Sequence, residues 1–361
     1  MLENSQYPTM HQTSMKFRTR GKLLLEKIRS INSPSRIALQ FSKYTTTTGT
    51  IAEMEYNLTQ STIIPKLTLK MQNSSTYKLG LYTRKNTARN VIKNYPKDNF
   101  MTISFMGRLG NVLFQLAALL SCAKRLNVSV SVPANELIDS YFRVPRTSNV
   151  NVTNSKTFYE EMYAKYDSNI ELLDTSVNWT LSGYFQSWKY FYKEDDLIRR
   201  SFEFMPKVYE PAAQFVEIFT LENKTIVGVH VRRGDMVSDF LATMGYTTAP
   251  VSYLHKAMNY FGEMYSNIVF IIVSDEISWC KENIRIHYDT TFSKFDDPWV
   301  DMAILSLCDH VIITSGTFGW WGAWLAGGDV IYYKGYPKPG SEIDEGMSRE
   351  DYYPPQWIGM D

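Results

Sequence analysis

With 361 residues, 44% of them hydrophobic, and a formal net charge of +1, the chain is long enough for two hydrophobic cores and has no charge excess to draw it to nucleic acid. Three cysteines, Cys122, Cys280 and Cys308, are too few for a disulfide scaffold and too scattered for a zinc site, so at most one bridge can form. Aromatic residues reach 14%, which suits stacking on sugar faces and equally suits an aromatic-rich core.

Residues 1–98 are polar, rich in Ser, Thr, Asn and Lys, with a Thr45–Thr48 run, and read as a tail or stalk. Within them Lys22–Phe41 has the pattern either of a short basic amphipathic helix touching a membrane or of a frayed, solvent-exposed segment. No run approaches the roughly 18 apolar residues of a membrane helix, and the N-terminus lacks the apolar stretch of a signal peptide. Against this stand six Asn-x-Ser/Thr tripeptides, at Asn57, Asn73, Asn127, Asn151, Asn178 and Asn223, which matter only in a secretory compartment.

From Phe100 the pattern becomes ordered. Met101–Phe105 predicts a buried strand, Gly107–Asn111 a tight turn carrying Arg108, Val112–Leu126 a helix, and Val128–Val132 a second strand. This βαβ unit lacks the third glycine of a dinucleotide fingerprint, yet its helix start faces an anion or a sugar hydroxyl. Arg108 there serves a ligand or caps a carboxylate. Residues 133–178 are irregular, and Leu181–Tyr192 (LSGYFQSWKYFY) concentrates aromatics that either wall an acceptor-sugar site or fill a junction between domains. Glu194–Phe204 has helix composition, and Pro206 with Pro211 suggests a hinge.

Beyond Ile226 apolar strands alternate with helices. Val251–Phe261, Ile277–Ile284, Pro298–Leu307 and Thr317–Leu325 are predicted helices; Ile268–Val273, Val311–Ile313 and Val330–Tyr333 are predicted strands. Such alternation means an α/β fold with a parallel, doubly wound sheet. The first of these strands runs through VGVHVRRGD (Val227–Asp235), delivering His230, Arg232, Arg233 and Asp235 to a strand's carboxyl end, where open sheets bind ligands. Adjacent guanidiniums need anions beside them, and either a diphosphate or a salt-bridge cluster with Asp235 meets that need. Two further strand ends open on the same edge. Asp275 is suited to the hydrogen-bond donors of guanine, and Thr314–Thr317 offers hydroxyls and a helix start, with Ser315, Gly316 and Thr317 as a neutral phosphate cradle. No Asp-x-Asp metal motif stands out, because Asp195-Asp196 and Asp296-Asp297 read as solvated or capping acids.

Five stretches, MGRLGN (Met106–Asn111), SGYFQSW (Ser182–Trp188), HVRRGD, SWCKENI (Ser278–Ile284) and TSGTFGWWGAWLAGGD (Thr314–Asp329), resemble the galactoside α-1,2-fucosyltransferases of glycosyltransferase family 11, in the right order from about Phe100 to Trp357. The resemblance implies a GT-B fold of two Rossmann-like domains, with boundaries at 99–222 for the acceptor side and 223–361 for the donor side. It also implies GDP-fucose as donor, a galactose-terminated glycan as acceptor, inversion at fucose, and neither cofactor nor metal. By the same resemblance Arg232 holds the β-phosphate and His230 and Asp275 lie near guanine; Arg233, Arg108 and Asn111 are further candidate binding residues. Asp235 and Asp239 are the candidate general bases, with Glu276 and Asp301 behind them. Trp320, Trp321 and Trp324 either line the cleft or, as their helical spacing favours, fill the core. The resemblance points to the Golgi lumen and to membrane association, for which the sequence shows no anchor. An enzyme of the same fold with another acceptor linkage, or a non-catalytic GDP-sugar or glycan binder, are the alternatives.

Overall fold

The computed structural model describes residues 38–46, 49–57, 99–144 and 154–361, the first two ranges as backbone. Strands β1 (Ala38–Thr46) and β2 (Gly49–Asn57) form an antiparallel hairpin inside the stretch expected to be a tail. Thr-rich and alternating sequence such as TIAEMEY carries β propensity even where overall composition is polar. The helix considered for Lys22–Phe41 lies mostly outside the described residues, and its last four residues belong to β1.

A four-stranded parallel sheet follows. It is built from β3 (Phe100–Ser104), β4 (Ser129–Val130), β5 (Ser155–Tyr159) and β6 (Asn178–Ser182) in the order β4-β3-β6-β5. Helix α1 (Leu109–Leu126) crosses from β3 to β4, with fourteen of its residues buried. After α2 (Asp195–Ser201) and α3 (Pro206–Leu221) comes a six-stranded parallel sheet. Its strands are β7 (Thr225–Val231), β8 (Ile268–Ser274), β9 (Asp289–Phe292), β10 (His310–Ile313), β11 (Val330–Tyr333) and β12 (Ile358–Met360). They are ordered β12-β11-β10-β7-β8-β9, the doubly wound Rossmann order. The connecting helices are α4 (Asp239–Met244), α5 (Val251–Met264), α6 (Ile277–Asn283), α7 (Pro298–Leu307) and α8 (Thr317–Ala326). This is the α/β, GT-B type of architecture, with two Rossmann-like sheets.

Several expectations need correction. β5 and β9 lay hidden in polar sequence because each is an edge strand: in β5 only Phe158 is buried, and in β9 no residue is. Pro206 opens a sixteen-residue helix instead of marking a hinge, since proline at a first helical position loses no hydrogen bond. Pro211 is carried inside that helix by the packing of Val208, Ala212 and Val216. All three cysteines are buried. Among the described residues no helix is long and apolar enough to cross a membrane.

Both sheets reverse strand order next to their first strand, between β3 and β6 and between β7 and β10. One apolar core runs continuously from α1 through α7 and α8 to the six-stranded sheet. Phe114 of α1 touches Trp320 and Trp321 of α8, with ring centroids 4.5 and 5.0 Å apart. Residues 343–353 return to the first sheet, where Tyr163 Oη donates to the Ile343 carbonyl at 2.6 Å and Ser187 Oγ to the Asp351 carbonyl at 2.7 Å.

The loop after β6 is held by a carboxylate that sequence reading passed over. Glu160 Oε2 accepts the backbone N–H groups of Tyr184 and Phe185, both at 2.7 Å, while Oε1 accepts from Tyr190 Oη at 3.3 Å. Phe185 is thereby kept at φ 54°, a left-handed conformation costly for a bulky residue. Burial pushes the Glu160 carboxyl up to about 8, against the amide bonds that favour its charged form, and the nearby Asp167 charge adds to the rise. A group raised in the folded state stabilises most fully below its unfolded value, and that contribution is lost as pH rises through the folded one. Stability should therefore fall between about pH 4.5 and about 8, and Glu160→Gln should flatten that limb in denaturant titrations taken across this window. An unchanged profile in the variant would refute the assignment.

Candidate active site

The candidate site is assembled where the two sheets' strand ends meet. β7 is buried from Ile226 to Val231 and then releases Arg232, whose backbone N–H donates to Thr314 Oγ1 at 2.9 Å, beyond the last paired residue of β10. The Arg232 guanidinium lies between two carboxylates, contacting Asp275 through Nη1 and Asp235 through Nη2. Arg233 turns the other way. Its backbone N–H donates to Asp275 Oδ1 at 2.9 Å, its Nε donates to Glu276 Oε2 at 3.0 Å, and its guanidinium lies 3.8 Å from the Trp279 ring centre. SWCKENI thus contributes a stacking face for the second arginine. Gly234, at φ +26°, permits this cage: a Cβ there would stand 2.3 Å from Asp275 Oδ2.

Arg108, at the start of α1, reaches across to Asp235 Oδ2 at 3.3 Å with its side chain 80% exposed. Of the two readings for Arg108, the structure has the carboxylate partner. Three guanidiniums, of Arg108, Arg232 and Arg233, face three carboxylates, of Asp235, Asp275 and Glu276, and the charges balance. The Arg232 and Arg233 side chains are only 21% and 18% accessible, and a phosphate offers each guanidinium the same forked pair of oxygens that a carboxylate does.

The end of β10 supplies the neutral side. Gly316, at φ +83°, is the N-cap of α8, with the buried Ser315 before it donating through Oγ to Met236 Sδ at 3.2 Å. Thr317 Oγ1 donates to Asn111 Oδ1 at 2.9 Å, and Gln186 Nε2 donates to the same oxygen at 3.1 Å. Gln115, fully buried in α1, accepts from Met106 N at 3.1 Å and donates to the carbonyl of Gly183 at 3.0 Å. MGRLGN, SGYFQSW and the start of TSGTFGWW are therefore tied together by side-chain amides. Gln115 and Gln186 were missed from sequence, and their place inside or beside the matched motifs was the available signal.

His230, the last residue of β7 but one, is 4% exposed beside Phe318. Its Nδ1 has no hydrogen-bond partner, and burial with the Arg232 charge nearby pushes its imidazole down to about 3, so it is neutral. Asp239 stands apart from the cage: it is exposed in the first turn of α4, and no hydrogen bond or ion pair among the described residues joins it to the arginines. Glu276 is taken by Arg233. Asp301 is buried in α7 against Ser293 Oγ, with burial raising its carboxyl to about 6, which removes it from the acceptor side. Trp320 and Trp321 are fully buried and Trp324 nearly so; they are core, not cleft.

The family model for Glycosyl transferase family 11 matches residues 68–361. The chain is 33% identical over 267 residues to galactoside alpha-(1,2)-fucosyltransferase 1 of Homo sapiens, spanning 70% of this chain and 73% of that protein. It is 30% identical over 284 residues to galactoside 2-alpha-L-fucosyltransferase Sec1 of Mus musculus, spanning 74% and 76%. Among solved structures, the NodZ alpha-1,6-fucosyltransferase soaked with GDP-fucose aligns at a TM-score of 0.48 and 15% identity, covering 63% of this chain and 93% of that one. The chain belongs to glycosyltransferase family 11.

Proposed function

We propose that the chain transfers L-fucose from GDP-β-L-fucose to the 2-hydroxyl of a terminal β-galactoside, inverting the anomeric carbon and using no metal ion. The observation that carries the reading is Arg232, fixed at the switch point of the second sheet beside the start of α8. That pairing of a forked cation with unsatisfied helix N–H groups fits a diphosphate. The two fucosyltransferase relatives support the sugar and the linkage.

In this reading the donor's β-phosphate takes Arg232 from its carboxylates, and Ser315, Gly316 and Thr317 offer the helix start to the remaining oxygens. As the galactose hydroxyl attacks C1, the bond to the β-phosphate oxygen breaks, and the negative charge growing there meets a donor already in place. His230, buried and neutral beneath Arg232, adds no second charge beside the diphosphate. Asp275 contacts both arginines, and its part in this reading is to aim them. Asp235 bridges Arg108 and Arg232 and is likewise an orienting group. Asp239, the acid carrying no arginine, is then the general base that takes the hydroxyl proton. Six sequons, of which Asn127 and Asn223 are exposed, support a lumenal setting in the Golgi.

Arg232→Ala should lower transfer to a β-galactoside about a hundredfold to a thousandfold while the thermal transition is kept, because its partners are water-accessible. Loss of the transition would assign it to structure instead. Asp239→Asn should cut kcat about a hundredfold or more with little change in KM, and wild-type turnover in that variant would remove it as the base. Chelation with EDTA should leave the rate unchanged; inactivation reversed by manganese would overturn the metal-free reading.

A further inference from the structure

The aromatic stretch that follows β6 divides in two. Tyr190 and Phe191 are fully buried, whereas Trp188 and the 52%-exposed Tyr192 meet edge to face at 5.3 Å on the outside. They line a cavity of about 330 Å3 together with Arg125, Glu171, Lys189 and Lys193. The cavity sits at the far end of α1 from the arginine cage: Arg125 is fourteen residues beyond Asn111, about 21 Å along the helix. The indole is held in place by Nε1 donating to the Glu350 carbonyl at 3.0 Å.

Charge decides what fits. Arg125 is committed to Glu171, at 2.6 and 3.1 Å, and to the Tyr190 carbonyl at 2.7 Å; Lys189 is committed to Asp351 at 2.5 Å. Lys193 lies over the Tyr192 ring, 5.6 Å from its centre, and its charge also acts on Glu171. Two of the three cations are thus held by carboxylates, and Lys193 alone lacks a close one among the described residues, a single spare charge and not the cluster that a phosphate or a sulfate needs. What remains is a fixed aromatic corner rimmed by hydrogen-bonding groups of both kinds, the chemistry that takes a neutral polyhydroxylated ring.

We infer that this cavity is a second saccharide-binding site, which takes sugar residues of a branched acceptor away from the galactose being modified. The inference rests on the fucosyl-transfer reading for the identity of that saccharide. Two acceptors separate the sites: methyl β-galactoside, which reaches only the transfer site, and a biantennary N-glycan with terminal galactose. In the full chain, Tyr192→Ala should raise KM for the biantennary glycan about tenfold and leave kcat/KM for methyl β-galactoside within about twofold, with Tyr192→Phe behaving as wild type. Saturation-transfer NMR of the same glycan without donor should show contacts at inner sugars in the wild type that Tyr192→Ala loses, while the terminal galactose signals persist. Equal effects on both acceptors, or inner-sugar signals that survive the substitution, would overturn the proposal. Absence of transfer to methyl β-galactoside by the wild type would instead sink the transferase reading and leave the NMR comparison standing.

Discussion

The site depends on two helix starts lying against each other at a glycine, where α1 brings no side chain to the contact. Gly110, at the beginning of α1, has Thr317 and Phe318 of α8 where its side chain would be: a Cβ would stand 2.6 Å from the Thr317 carbonyl carbon and 2.8 Å from the Phe318 nitrogen. Trp321 Nε1 closes the contact by donating to the Gly110 carbonyl at 3.0 Å, inside a core where its ring is fully buried. Because α1 follows the first strand of one sheet and α8 the strand beside the first of the other, this approach turns both topological switch points toward a common space. Arg108 can meet Asp235, and Asn111 can meet Thr317, only because the helix starts are that close.

Across that junction the two sides have different electrostatic characters. The arginines of the second sheet are kept in balanced, half-buried pairs, an arrangement in which each buried guanidinium has a carboxylate beside it. Beneath them His230 is buried and neutral, since a second charge there would face both desolvation and Arg232. On the first sheet polar side chains act on backbone: Gln115 and Glu160 satisfy loop amides and a carbonyl, giving the loop after β6 a single shape. Fixed donors on one side and a fixed loop on the other suit a reaction whose catalysis is mainly positioning and charge stabilisation.

The sequence alone determined four of the six strands of the second sheet and the helices α5 to α8. β7, β8, β10 and β11 are apolar on both faces and read as such, and α7 was legible from Pro298 to Leu307 because proline and acidic residues mark its start. It also brought His230, Arg232, Arg233, Asp275 and Ser315–Thr317 to strand ends, since a strand's carboxyl end follows directly from its pattern. Only the tertiary structure decided what those side chains hold. That Asp275 contacts Arg232, that Asp235 is bridged to Arg108, and which rings of Leu181–Tyr192 turn outward depend on contacts between residues far apart in the chain. Edge strands such as β5 and β9 belong with these, because a strand that buries little leaves no hydrophobic period to read, and only its neighbour in the sheet makes it a strand.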